Sequence, residues 1–348
     1  MHPIRSRVRG SRPAPVRRAL GVLAGLGLAL ALGCGGGSEP GEDETGAAAP
    51  PAAADDRLAA VATIGMVTDV VRAVAGDRAE VVGLMGAGVD PHLYAATRSD
   101  VQRLMESDVI FYNGLLLEGR MTDALIRAAT AGRPVHAVTE LLDEAELLEP
   151  EEFEGLFDPH VWMDPARWAK AVDVVRDELI ALDPDGAETY RANAEAYRAE
   201  LEELDAYAER VLGSVPEAQR VLVTAHDAFN YFGDRFGYEV VGIQGISTES
   251  EAGVRDIERL VDMLVERSVA AVFVETTVSQ RNVEALIAGA AARGHQVVIG
   301  GELFSDAMGP EGTWEGTYLG MIDHNVTTIA RALGGDAPER GWRGRLAE

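Results

Sequence analysis

The chain has one cysteine, Cys34, in 348 residues, so no intramolecular disulfide can form and the fold must rest on its core. The apolar run Ala19–Leu32 stops short of the roughly 20 residues that span a bilayer. Basic residues are scarce: 31 Lys and Arg stand against 57 Asp and Glu, a net charge of −26. A surface this acidic argues against nucleic acid or an anionic membrane surface as partner. The chain also lacks His-Glu-x-x-His, Gly-x-Ser-x-Gly and a phosphate loop ending in Gly-Lys-Ser/Thr, and nothing supports a serine or cysteine nucleophile.

What is present begins with an export signal. Arg5, Arg7, Arg9, Arg12, Arg17 and Arg18 form a basic region ahead of the short apolar run, which ends in Leu30-Ala31-Leu32-Gly33-Cys34. A lone cysteine there looks like the lipid-modified residue of a bacterial lipoprotein, with ordinary secretion as the alternative. Residues 1–33 are therefore expected to be the signal peptide. Their loss would take the net charge from −26 to −32 by removing six arginines and no acid. Residues 34–57, rich in Gly, Ala, Pro, Ser and acid, read as a flexible tether that cannot bury a core.

The remaining residues alternate short β-branched runs with helical patterns. Strands are expected at Ala59–Ile64, Ala79–Leu84, Val109–Tyr112 and Pro134–Val138. A second set follows at Arg220–Val223, Glu239–Gly242, Ala271–Val274 and Gln296–Ile299. Helices fall between them, including Asp100–Glu106 capped by Ser99 and Trp314–Leu333 at the end. This is an α/β pattern of two parallel-sheet βα lobes, residues 58–182 and 216–348, joined through a connecting helix in 183–215. The connector's stripe Tyr190, Ala194, Tyr197, Leu201, Leu204, Ala208 and Val211 steps by three and four, so one side packs on the body and the other meets water. A helix of about 39 Å is a stiff link, which disfavours large lobe closure.

Asp-Pro-His occurs twice, at Asp90-Pro91-His92 and Asp158-Pro159-His160. With His226 and Asp306 these histidines make four positions spaced by 68, 66 and 80 residues, far too wide for a zinc finger. His92 and His160 follow the second and fourth strands of the first lobe. His226 and Asp306 follow the first and fourth strands of the second. All four thus lie beyond the carboxyl ends of parallel strands, where open α/β sheets place ligands. Three imidazoles and one carboxylate form a closed N/O set that can bind a transition-metal ion between lobes without acting on a substrate. Asp90, Asp158 and Asp227 are expected as partners for the imidazole N–H groups. His136, His295 and His324 read as structural. Imidazoles near their ordinary pKa would hold the ion at neutral pH and release it below about pH 6.

The stretches Gly88-Val-Asp-Pro-His-Leu-Tyr, Asp158-Pro-His-Val-Trp-Met-Asp, Val223-Thr-Ala-His-Asp-Ala-Phe, Gly242-Ile-Gln-Gly-Ile-Ser-Thr-Glu-Ser-Glu and Gly300-Gly-Glu-Leu-Phe-Ser-Asp-Ala-Met-Gly carry a resemblance. The chain resembles the TroA-like, or cluster A-I, metal-binding lipoproteins of bacterial ABC importers for zinc and manganese. That resemblance places the metal ligands on His92, His160, His226 and Asp306 and implies limited lobe movement. It also implies delivery of the ion to a membrane permease from an extracytoplasmic position. The protein is expected to be a monomer, held to a membrane through lipidated Cys34, and not an enzyme. The acidic stretch Asp143–Gly155 contains no His, unlike the His-rich loop of many zinc-specific members, so manganese stays beside zinc, with iron(II) a further candidate. An exported zinc hydrolase, with Glu302 as its base, is the competing reading, and a protein that binds an iron chelate is a third.

Overall fold

A computed structural model describes residues 57–150 and 155–347. The expected signal peptide, Cys34 and all of the expected tether except Arg57 lie outside the described residues. The first half contains β1 (Leu58–Ala62), α1 (Gly65–Ala75), β2 (Ala79–Gly83), α2 (Arg98–Glu106), β3 (Val109–Tyr112), α3 (Thr122–Thr130) and β4 (Val135–Ala137). Its strands form one parallel sheet in the order β2-β1-β3-β4. Ala60, Val61 and Ala62 of β1 and Val109, Ile110 and Phe111 of β3 are all buried. Both faces of these strands are covered, and this is why they read as unbroken apolar runs. Helix α2 starts two residues earlier than its sequence suggests. Thr97, and not Ser99, is the cap: its hydroxyl accepts from Asp100 N while the Asp100 carboxylate accepts from Thr97 N at 2.9 Å.

Two long helices follow. Helix α4 (Pro165–Leu182) opens on Pro165, with the Asp164 carboxylate accepting from Ala166 N and Arg167 N. Helix α5 (Ala187–Gly213) is the expected connector. Every residue of its predicted stripe is buried, and Tyr207 and Leu212 widen it. Along this stripe α5 packs against α1 and α4 and against α9 (Tyr318–Ala332).

The second half supplies β5 (Val221–His226), α6 (Asn230–Phe236), β6 (Glu239–Gln244), α7 (Val254–Glu266), β7 (Ala271–Glu275), α8 (Arg281–Ala292) and β8 (Val298–Leu303). Its ladders come as two parallel pairs, β5–β6 and β7–β8, rather than the single expected sheet. β5 still lies beside β7. At the carboxyl end of that junction the His226 N–H bonds the Glu275 side chain instead of a β7 carbonyl. Side chains alternate between two cores: Leu222 points into the main core, while Val221, Val223 and Ala225 join a second cluster under α7 and α8. The last helix begins at Tyr318 and not Trp314, because residues 310–317 form turns closed by Thr313 N→Pro310 O and Thr317 N→Trp314 O. No helix of the described residues is long and apolar enough to cross a membrane.

Candidate metal centre

The two Asp-Pro-His segments repeat a geometry as well as a sequence. Asp90 Oδ1 accepts from His92 N at 2.9 Å, and Asp158 Oδ1 accepts from His160 N at 2.9 Å. Each aspartate folds the loop so that the histidine two positions on is held at a fixed angle. His226 closes β5, and Asp306 stands just beyond β8 on a loop pinned to the first half by Trp162 Nε1→Ser305 O, 2.9 Å.

These four side chains meet. His92 Nε2 and His160 Nε2 are 3.3 Å apart; Asp306 Oδ1 is 3.3 Å from His160 Nε2; Asp306 Oδ2 is 3.2 Å from His226 Nε2 and 3.7 Å from His92 Nε2. Metal–ligand bonds of 2.0–2.2 Å in a tetrahedron set neighbouring donors about 3.4 Å apart, so the observed spacing suits one ion at the centre. His226 Nε2 and both Asp306 oxygens are shielded from solvent and make no hydrogen bond, although they lie so close. These atoms cluster about a shared point without pairing with one another. His160, His226 and Asp306 are essentially inaccessible, and His92, at 6 %, is the most exposed of the four.

Carboxylates behind the rings fix the tautomers. Asp158 Oδ1 lies 2.7 Å from His160 Nδ1, and Glu275 Oε2 contacts His226 Nδ1, leaving Nε2 of each ring to face the centre. Asp158 thus holds its expected role. Asp90 bonds the His92 backbone and not its ring, and its other oxygen accepts from Thr248 Oγ1 at 2.6 Å. Asp227 is not the partner of the His226 ring; it accepts from Asn230 Nδ2 at 3.0 Å, and Glu275 takes the ring instead. Sequence reasoning missed Glu275. Its one signal was an acid ending the wholly buried strand Ala-Val-Phe-Val-Glu.

Electrostatics separates the three rings. Burial outweighs the Asp306 charge at His92 and lowers its pKa to about 4. Burial also opposes charge on His160, but Asp158 and Asp306 together overcome it and raise the pKa to about 9. For His226 the same desolvation is overcome by Glu275 and Asp306, and the pKa rises well above 6.5. Desolvation would raise Asp306, yet the neighbouring His226 and His160 hold it well below the usual carboxylate range. In the absence of an ion, protons on His160 and His226 therefore balance the buried acids at neutral pH. This corrects the expectation of three ordinary imidazoles: release on acidification follows from proton competition that already operates at neutral pH.

The other histidines stand apart from the centre. His295 Nε2 lies 2.7 Å from Val269 O, His324 Nε2 lies 2.9 Å from Glu302 O, and His136 sits within β4 as expected. Glu302 is exposed on β8, so it does not serve as a base at a buried ion. Donor atoms within 4.8 Å of one another also leave no room for a chelate.

Comparison with known proteins finds relatives named for metal binding. The family model of ZnuA, zinc-uptake complex component A, periplasmic, matches residues 60–332. The chain is 47% identical to the zinc-binding protein TroA of Treponema pallidum over 282 residues, covering 81% of this chain and 91% of that one. It is 44% identical to the manganese-binding lipoprotein MntA of Bacillus subtilis over 280 residues, covering 80% and 91%. The solved structure of the T. pallidum periplasmic zinc-binding protein TroA superposes with a TM-score of 0.77 at 46% identity, covering 80% of this chain and 99% of that one.

Proposed function

The chain belongs to the ZnuA family of periplasmic metal-uptake components, and from that premise we propose that it captures one divalent transition-metal ion between its halves and passes it to an ABC permease. The family is one of solute-binding proteins, not enzymes, and the hydrolase reading falls with that membership. His92, His160, His226 and Asp306 are the proposed ligands. The observation that carries this is the convergence of four buried donor atoms within 4.8 Å, three of the donor groups' atoms lacking any hydrogen bond. Three nitrogens and one oxygen favour zinc over manganese by the Irving–Williams order, and the relatives include one named for each metal. We assign residues 58–182 and 216–348 to the lobes, with α5 as the core of the connector. A lipid on Cys34 would anchor a monomer outside the cytoplasm, consistent with the lipoprotein relative.

The test is a melting curve of chelator-stripped protein with and without zinc, manganese or iron(II). Ion at ~1,000 Kd stabilises the fold by about 4 kcal/mol. Alanine at His92, His160, His226 or Asp306 should remove most of that shift, whereas His136→Ala should keep it. An unchanged curve with every metal overturns the proposal.

A further inference from the structure

His136 has neighbours that its sequence context did not reveal. It lies in β4, the edge strand of the first sheet, and its Nε2 is 3.2 Å from Glu178 Oε2 on the penultimate turn of α4. The carboxylate of Glu140, three residues beyond β4, completes a group whose donor atoms all lie within 4.8 Å of one another. Close approach here is not hydrogen bonding: His136 Nε2 is shielded from solvent and has no aligned hydrogen-bond partner. The same signature marks the buried centre, where His226 Nε2 lies 3.2 Å from Asp306 Oδ2 without an aligned bond. Among the described residues, neither Glu140 nor Glu178 is paired with an arginine or lysine.

We propose that His136, Glu140 and Glu178 form a second, weaker site for a divalent transition-metal ion on the flank of the first sheet. Bonds of 2.0–2.2 Å require the three donors to sit about 3.4 Å apart. His136 and Glu178 already meet that spacing, and Glu140 is exposed, so its side chain is free to swing inward. One imidazole nitrogen and two carboxylates accept zinc ahead of manganese. With three protein ligands and an exposed carboxylate, water fills the remaining positions and exchange is faster than at the buried four-ligand centre. The site stands on its own residues and not on the function assigned to that centre.

Zinc titration of the chelator-stripped full chain, followed by calorimetry, should give one tight equivalent and then a weaker second. His136→Gln and Glu178→Gln should each abolish the second and leave the first, and Glu140→Gln, an exposed change that does not threaten folding, should weaken the second. A wild-type titration that ends at one equivalent overturns the proposal. So does a second equivalent that survives undiminished in all three variants.

Discussion

Replacing Glu275 by Gln exchanges one oxygen for an amide nitrogen, yet it should weaken the metal centre while leaving all four proposed ligands in place. Glu275 is 2 % exposed and accepts twice from His226, from its backbone N at 2.8 Å and from ring Nδ1. A glutamine offers one acceptor and one donor to those two donors, so one N–H of His226 is left facing another N–H. Losing a carboxylate behind a metal-bound imidazole typically weakens affinity 10–100-fold. That corresponds to roughly 1.4–2.7 kcal/mol. The loss should depend on pH. Glu275 is the largest contributor to the raised His226 pKa after burial is overcome, so without it the proton competes less for Nε2. At neutral pH this relief partly offsets the weaker ligand; near pH 9 less proton competition remains in either protein, and the gap widens. The assay is competition against a chromophoric zinc chelator for wild type, Glu275→Gln and His226→Ala at both pH values. If Glu275→Gln matches wild type at both while His226→Ala fails, the argument from tautomer and charge is refuted.

Zinc binding near neutral pH should expel about two protons, from His160 and His226, so affinity climbs about 100-fold per pH unit there; calorimetry in buffers of differing ionisation enthalpy reads the number directly. In the ion-free protein the raised His160 pKa contributes stability that is fully present below about 6.5 and lost as pH rises through about 9. The lowered pKa of His92 works the other way, removing stability as pH falls from 6.5 towards about 4, so these two groups together should give thermal melts a maximum near pH 6.5 that declines on both sides. In direct competition zinc should displace manganese, and calorimetry that ranks manganese tighter contradicts the donor-set argument. Leu204→Ala, at a fully buried position in the α5 stripe, should cost about 2–5 kcal/mol in urea unfolding without altering the donor set.

Much of this architecture was legible in the residues because burial on both sides of a parallel strand leaves a plain apolar run. β3 begins and ends where its sequence says. The proposed ligands were legible for a different reason: they stand where strands end, and two carry the same Asp-Pro-His fold. Partners distant in sequence were not legible. Glu275 lies 49 residues from His226, and Glu178, on α4, lies 42 residues from His136. Nor could the chain announce that Thr97 would outcompete Ser99 as a cap, since both offer a hydroxyl and only the backbone entry angle decides. The turns before Tyr318 depend on contacts such as Gly309 N→Glu315 O, which a helical pattern does not foresee.

Because the four proposed donors divide two and two between the halves, no single loop would release a bound ion alone. Parting the halves would leave either His92 with His160 or His226 with Asp306 still gripping the ion as a pincer. A receiving membrane protein would then meet a half-unwrapped ion whose vacated positions it can occupy before the remaining grip opens.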